Sequence, residues 1–208
     1  MDPSSKRQKL HHLPYQEKLG DITEDFHQNN VIIVQINNCI SRKVHPYSLC
    51  WYISTKYPYG EPYTQRKSGP YPNLADLHHR PKLGSVQLKY PPKSTTGPVI
   101  ACCFSQYRMG DVTTKYYLNG KNADSDYIKK STEEDTYILR VNYFKECLNN
   151  LREKIKSMNE IEIISIPKYI GCGMAGGKWC DYLREITQFC TDVKYVRPDI
   201  KIYIINKK

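Results

Sequence analysis

The chain has 208 residues, of which 39% are hydrophobic and 25% are charged, a composition typical of one folded globular domain rather than of a disordered protein. Its formal net charge of +10 favours polyanionic partners such as nucleic acid or phosphorylated small molecules. No apolar run approaches the roughly 20 residues that a membrane-spanning helix needs, and no signal peptide is recognisable, so we expect no membrane partner.

The first 15 residues are polar and basic, which predicts a flexible tail ahead of a single domain at residues 16–208. We expect a cytoplasmic location. The tail also contains "KRQK", a weak candidate for a nuclear-import signal, which makes a nuclear location the alternative. The eight cysteines show no C-x-x-C spacing, and most lie in apolar stretches such as "PVIACCFSQ". They indicate reduced, buried thiols rather than disulfides or a zinc site, and no cofactor or metal is implied.

In chain order, apolar and β-branched runs predict six strands, at residues 31–36, 84–90, 98–104, 115–118, 161–166 and 200–205. Apolar residues spaced by three to four predict long helices at 131–156, after a Ser/Thr-x-x-acidic start, and at 178–190. A shorter helix at 48–56 ends before Pro58. Strands and helices alternate in the second half, which predicts βαβ units and a mostly parallel sheet. Residues 57–83, rich in proline, tyrosine and basic side chains, form a long connection of the kind that is usually functional or mobile.

After the predicted strand 161–166, the segment "IGCGMAGGKW" contains Gly171, Gly173, Gly176 and Gly177. Glycines between a strand and a helix let backbone amides and the helix N-terminus approach an anion, so the segment predicts a phosphate-binding loop. It is not a P-loop, because that motif needs a glycine at position 172 and a serine or threonine at 179. A dinucleotide-binding loop is excluded as well, since it would follow the first strand, with an acidic residue ending the next one.

Several motifs together resemble the macrodomain family of ADP-ribose-binding proteins, from Gly20 to about Ile205. They are "GDIT", "VQINNC", "KVHPYS", "YPYGEPYTQR", "NLA", "ACCFSQY", "YFKECL" and "IGCGMAGGKW". The pattern is most similar to a branch found in large DNA viruses and to yeast-type ADP-ribose-1″-phosphate phosphatases. The resemblance implies a monomeric three-layer α/β/α sandwich with a mostly parallel central sheet, and ADP-ribose or ADP-ribose-1″-phosphate as ligand.

The resemblance also implies roles for particular residues. Asp21 would accept a hydrogen bond from the adenine amine, with the backbone of Ile22 facing the ring. Asn38, or Asn37 if the register differs by one, would contact the distal ribose. Amides of the loop that contains Gly171, Cys172, Gly173, Met174, Ala175 and Gly176 would wrap the diphosphate, and Phe104, Gln106 and Tyr107 would reach adenine or ribose.

Two departures from the family pattern affect the chemistry. The segment "SRKVHPYSL" stands where a glycine-rich first phosphate loop is usual, and a cation, Lys43 or Arg42, would have to compensate for its missing amides. Related enzymes that remove ADP-ribose from acidic side chains use a lysine and an aspartate. Gln106 and Ala175 stand at the corresponding positions, so that chemistry is not supported.

Among the titratable residues of the predicted ribose end, His45 is the candidate general base or acid, with Asn38 orienting substrate or water. A surface histidine without a task is the alternative for His45. The long connection adds further candidates for closing over the site or holding a terminal phosphate: His78, His79, Arg66, Lys67 and Arg80. Three functions remain open: an ADP-ribose-1″-phosphate phosphatase, a hydrolase that removes mono-ADP-ribose from protein or nucleic acid, and a non-catalytic module that binds ADP-ribosylated proteins or RNA.

Overall fold

The computed structural model describes residues 13–69, 74–112, 133 and 135–207. In this part of the chain six strands form one sheet: β1 Gln16–Leu19, β2 Val31–Asn38, β3 Val86–Lys89, β4 Val99–Gln106, β5 Ile163–Pro167 and β6 Lys201–Asn206. In the described ranges, the helices with both ends given are α1 Leu49–Lys56, α2 Tyr137–Ile155 and α3 Trp179–Val196.

The strand order is β1-β6-β5-β2-β4-β3, and all neighbours are parallel except the edge strand β3, which runs antiparallel to β4. The central strands β2 and β4 are buried along nearly their whole length, as expected for parallel strands with both faces covered. The predicted mostly parallel α/β/α sandwich is therefore confirmed.

Two apolar cores lie on opposite faces of the sheet. On one face, α2 and α3 pack against alternate strand residues, with Phe144 and Ile186 fully buried. On the other face, α1 contributes Ile53, and irregular segments contribute residues such as Phe26 and Leu74. Among the described residues, no helix combines the length and the apolar character needed to cross a membrane.

The helix ends follow local chemistry. The Ser48 hydroxyl caps α1 by accepting from the Trp51 amide at 3.1 Å, a role for which serine is favoured. Helix α2 begins at Tyr137, where the Thr136 hydroxyl accepts from the Leu139 amide; of its predicted start, residues 131, 132 and 134 lie outside the described residues. Helix α3 continues past the predicted end at 190, since Val193 still packs in the core.

Three parts of the prediction at the chain ends and loops need comment. The predicted strand 115–118 and most of the predicted tail, residues 1–12, lie outside the described residues. Tyr15, which was assigned to the tail, is 8% exposed and packs in the main core, so the packed domain includes it. Strand β1 was missed because its four residues, QEKL, are all exposed and carry no apolar run.

The long connection 57–83 packs onto the end of β2. It contains short 3₁₀ turns at Pro58–Gly60 and Leu77–His79, and Leu74 forms a bridge with Ser41. Tyr63 and Ala75 are buried. In its described part, this connection is thus a covering layer of the domain.

Candidate functional site

A cavity of about 320 Å³ opens at the carboxyl ends of β2, β4 and β5, where parallel α/β sheets commonly bind ligands. Its lining residues fall in three segments, 36–50, 106–110 and 167–175, together with Tyr63. We call residues 39–48 the glycine-free loop and residues 168–178 the glycine-rich loop. These two loops face the same cavity from different strands.

The glycine-rich loop turns on its own backbone. The amides of Cys172, Gly176 and Gly177 donate to carbonyls within the loop at 2.9–3.0 Å. The consecutive amides of Gly173, Met174 and Ala175 have no acceptor among the described residues, and these three residues line the cavity. Such a run of unpaired N–H groups is suited to an anion. The amides available to a phosphate are therefore fewer than the predicted range from Cys172 to Gly176, and the first residues of α3 do not line the cavity.

The loop glycines serve two different purposes. Gly176 has φ of +70°, a left-handed conformation that favours glycine. A Cβ built there would lie 1.7 Å from Asp111 Oδ2, so the Asp111 side chain would also have to move. A Cβ on Gly173 would meet nothing within 4 Å. The fold does not need a glycine at position 173, where a side chain would instead enter the cavity.

Asn38 closes the turn at the end of β2. Its Oδ1 accepts from the amides of Ile40 at 3.2 Å and Ser41 at 2.8 Å, while its Nδ2 lies 3.5 Å from the Tyr63 hydroxyl. Asn38 borders the cavity and Asn37 does not. Of the two register alternatives, Asn38 is thus the one that borders the cavity, and its Nδ2, which donates one hydrogen toward the Tyr63 hydroxyl, has a second hydrogen with which to contact a ligand.

His45 lies in the glycine-free loop, with an exposed side chain that borders the cavity. Its Nδ1 is 2.7 Å from the carbonyl oxygen of Pro46. Because a carbonyl can only accept a hydrogen bond, Nδ1 carries the proton of the neutral ring and Nε2 keeps its lone pair. His45 is therefore able to accept a proton through Nε2.

The charge of the cavity wall is positive. Lys43 and Lys168 line it, and none of the described lining residues is an aspartate or glutamate. Lys168 is held by Glu17, whose Oε2 lies 2.7 Å from its Nζ. Of the two cations considered for the glycine-free loop, Lys43 borders the cavity and Arg42 does not. The site is thus suited to an anionic ligand.

The cysteines near the site are unsuited to nucleophilic chemistry. Burial raises the pKa of the Cys172 thiol to about 11, and burial raises the pKa of Cys50 well above its ordinary value. Both stay protonated at neutral pH, and the thiolate is the reactive form. Six of the eight cysteines are buried and all are free, as predicted. Within the described ranges, no group of three metal-binding side chains occurs.

Asp21 and Ile22 follow β1, outside the lining of this cavity. Asp21 Oδ1 accepts from the Thr23 hydroxyl at 2.7 Å and from its amide at 2.8 Å. The hydrogen bond from the Thr23 side chain is the main reason why the pKa of Asp21 is lowered, so the carboxylate is ionised at neutral pH. Ile22 is 8% exposed and packs in the apolar core on the face of the sheet that α1 covers, which we call the α1-side core. A role for either residue in binding adenine stays a prediction.

Of the residues predicted after the central strand, only Gln106 lines the cavity. Phe104 and Tyr107 are 1% and 2% exposed and belong to the α1-side core. The Tyr107 hydroxyl also accepts from Arg80 at 2.9 Å. Because both rings are enclosed by protein, neither is available to a ligand in this cavity.

The basic residues of the long connection also have structural partners or lie away from the site. The Arg66 guanidinium is buried and donates to the carbonyls of Asn38, Cys39 and Ser41 at 2.8–3.2 Å. It therefore holds the end of β2 and is not open to a phosphate. The other candidates considered for this role do not line the cavity: Lys67, His78, His79 and Arg80.

Sequence reasoning missed two tyrosines that line the cavity, Tyr47 and Tyr169. They are 79% and 55% exposed, and they have left-handed φ values of 64° and 62°, which are uncommon for bulky residues. Tyr47 packs against Trp51, and Tyr169 packs against Trp179. No sequence signal announces a left-handed tyrosine, since the conformation is imposed by the surrounding loop.

Sequence reasoning also missed a buried ion pair behind the site, formed by Asp135 and Arg140. Asp135 lies just before α2, and Arg140 is in its first turns among apolar residues. The Arg140 Nη2 to Asp135 Oδ2 distance is 2.6 Å, with both side chains 1% exposed. A charged residue on the apolar face of a predicted helix was the available signal.

Comparisons with known proteins place the fold. No family model and no curated protein matches the chain. The macrodomain of Mycobacterium tuberculosis DarG is similar in structure, with a TM-score of 0.58 and 16% identity over 93% of this chain and 98% of that one. An alphavirus P23pro-zbd structure scores 0.49 at 13% identity over 92% and 22% of the two chains. An Oceanobacillus iheyensis macrodomain variant with ADPR scores 0.42 at 15% identity over 94% and 88%. The likeness to the DarG macrodomain shows that this chain has a macrodomain-like fold.

Proposed function

We propose that the chain binds ADP-ribose in the cavity and hydrolyses a derivative at its distal ribose, ADP-ribose-1″-phosphate being the first candidate. The observation that carries this proposal is the arrangement of two loops on one cavity. Among the described residues, the amides of Gly173, Met174 and Ala175 in one loop have no acceptor, and Nε2 of His45 in the other loop has no hydrogen-bond partner. An anion-binding backbone beside a proton acceptor is what hydrolysis of a phosphorylated sugar requires.

Each group has a role in this proposal. The loop amides hold the diphosphate, and Lys43 and Lys168 balance its charge. His45 accepts a proton through Nε2 from a water molecule that attacks the terminal phosphorus. The bond between that phosphorus and the ribose oxygen breaks, the leaving oxygen takes up a proton from solvent, and His45 later returns its own proton to solvent. Asn38 orients the distal ribose through its Nδ2, since its Oδ1 is engaged by the turn.

Removal of ADP-ribose from a protein or nucleic acid is the alternative reaction, in which the bond between the distal ribose carbon and its substituent breaks instead of a phosphorus–oxygen bond. The neutral side chain of Gln106 and the methyl group of Ala175 both line the cavity. They leave the site without the lysine and aspartate considered above. For this reason the phosphatase reaction is favoured over the release of ADP-ribose from acidic side chains.

A non-catalytic ADP-ribose-binding module is the second candidate function. It is favoured by the exposure of His45, because a ring open to solvent has little to hold it against a substrate. It is also favoured by the absence of carboxylates among the described lining residues, which leaves no acidic partner to orient the imidazole.

The experiment is to incubate the purified protein with ADP-ribose-1″-phosphate and, separately, with ADP-ribosylated protein, and to measure phosphate and ADP-ribose release. We expect phosphate release that is lost in His45→Ala and reduced in Asn38→Ala. His78→Ala is the matched control, since His78 is exposed and away from the cavity. Calorimetry with ADP-ribose separates the remaining outcomes. Binding without turnover of either substrate supports the module, and the absence of any heat contradicts every version of the proposal.

A further inference from the structure

The buried guanidinium of Arg140 is joined to two walls of the cavity. Its Nη1 donates to the carbonyl of Gly110 at 2.6 Å and to that of Ala175 at 3.3 Å. Gly110 lies in the segment after β4, and Ala175 in the glycine-rich loop. Both residues line the cavity. One side chain from α2 therefore touches two loops that come from different strands.

All five donors of this guanidinium are used. Besides the two Nη1 bonds, Nε donates to Asp135 Oδ1 at 2.7 Å, and Nη2 donates to Asp135 Oδ2 at 2.6 Å and to the Arg108 carbonyl at 3.3 Å. Asp135 in turn accepts from the amides of Tyr107 and Arg108. A buried ion pair is tolerated when its remaining hydrogen-bonding groups are satisfied, and this pair meets that condition with main-chain groups of the cavity loops.

The contact with Ala175 fixes the direction of the Ala175–Gly176 peptide group, whose N–H donates to the Gly173 carbonyl at 3.0 Å. That hydrogen bond in turn orients the Gly173–Met174 peptide group, which carries the Met174 amide. Because the Ala175 carbonyl points to the buried guanidinium, its negative end is turned away from the cavity. A carbonyl turned the other way would present its oxygen to a bound anion and repel it. The Asp135 carboxylate pairs with Arg140 and also lies 3.6 Å from Nε of Arg108, so the buried cluster keeps a net positive charge, and the contribution seen in the Ala175 contact is a geometric one.

We propose that Arg140, fixed by Asp135, is a positioning residue that keeps the Gly173–Ala175 amides directed at the anionic part of the ligand. The proposal rests on the proposed binding of ADP-ribose in this cavity. Lysine cannot replace this arginine, since an ammonium group has three donors where the site needs five.

The chain offers a matched control in Arg197. Its guanidinium also makes five hydrogen bonds, two to the Asp199 carboxylate and three to the carbonyls of Ile155, Met158 and Ile161. These carbonyls precede β5 and lie at the amino-terminal edge of the sheet, opposite the cavity. Each of the two arginines thus donates to one carboxylate and three main-chain carbonyls, and the two lie at opposite ends of the fold.

The test compares Arg140→Lys with Arg197→Lys by calorimetry with ADP-ribose, thermal melting and amide hydrogen exchange of the free proteins. We expect both variants to melt at a lower temperature. Only Arg140→Lys should weaken ADP-ribose binding, by about tenfold, the effect of losing one hydrogen bond to a charged group. Only Arg140→Lys should speed amide exchange in residues 171–178.

Equal ADP-ribose affinity in the two variants, with equal exchange in residues 171–178, would overturn the proposal. If Arg140→Lys does not fold, Asp135→Asn compared with Asp199→Asn replaces it, with a smaller change in the same direction. Failure of the unaltered protein to bind ADP-ribose would overturn the proposed function instead. The exchange comparison uses no ligand, so it would still decide whether Arg140 orders the glycine-rich loop.

Discussion

The two loops that face the cavity are ordered by opposite means. The glycine-rich loop has four glycines and is closed largely by hydrogen bonds within its own backbone. The glycine-free loop has none, and side chains close it: Asn38 accepts from two of its amides, and Arg66 donates to carbonyls at its start. A loop closed by its own backbone can leave amides unpaired for an anion. A loop closed by surrounding side chains can instead carry reactive groups of its own.

In the proposed function, this difference separates binding from chemistry. The glycine-rich loop supplies the amides of Gly173, Met174 and Ala175 and also lines the cavity with the side chains of Lys168 and Tyr169, but it contains no histidine or carboxylate. The glycine-free loop supplies Lys43, His45 and Tyr47 to the cavity wall. The two loops should therefore respond differently to substitution, and three changes test this, from the largest expected effect to the smallest.

Replacing Arg66 removes the closure of the glycine-free loop. Arg66→Ala leaves three carbonyls without their donor in a buried place, and we expect a loss of about 3 kcal/mol in the free energy of unfolding. Urea unfolding measures the loss. The exposed neighbour variant Lys67→Ala should unfold like the unaltered protein. Similar midpoints for both variants would mean that the loop does not depend on Arg66.

Replacing single glycines separates the fold from the site within the other loop. Gly176→Ala forces a side chain into a left-handed backbone against Asp111, and we expect it to lower the free energy of unfolding by about 2 kcal/mol. Gly173→Ala, with open space around its Cβ, should leave stability unchanged and weaken ADP-ribose binding. Urea unfolding and calorimetry on both variants measure these effects. Equal losses of stability would contradict the distinction between the two positions.

Replacing Tyr47 measures the strain in the glycine-free loop. In Tyr47→Gly the left-handed conformation is relieved, and this gain offsets the lost contact with Trp51, so we expect stability within about 0.5 kcal/mol of the unaltered protein. Tyr52 also packs against Trp51, but it lies in α1. Tyr52→Gly should therefore lose about 1 kcal/mol. If thermal melting shows Tyr47→Gly as the less stable of the two, the left-handed tyrosine is not strained.

The sequence predicted the elements whose signals are local. The buried runs that became β2, β4, β5 and β6 were found, as were helix α1 and the long helices, because strand and helix periodicity is visible within one segment. The sequence did not predict the exposed strand β1, because its residues have no apolar face. It also did not predict that α2 begins at Tyr137, because several serine and threonine residues precede the helix and any of them could act as the N-cap that Thr136 provides. The sequence also did not predict that residues 57–83 pack onto the end of β2, because this packing depends on partners elsewhere in the chain.

By itself, the sequence determined that this chain folds as an α/β sandwich with a glycine-rich turn late in the sheet. Only the tertiary structure decided which residues meet at the cavity. It placed Asn38 rather than Asn37 at the wall, Lys43 rather than Arg42, and Gln106 rather than Phe104 or Tyr107. The physical reason is that a buried donor pairs with main-chain acceptors far along the chain, as Arg140 does with Ala175, 35 residues away. Main-chain carbonyls are present at every residue, so sequence pattern alone cannot tell which of them a buried arginine will reach.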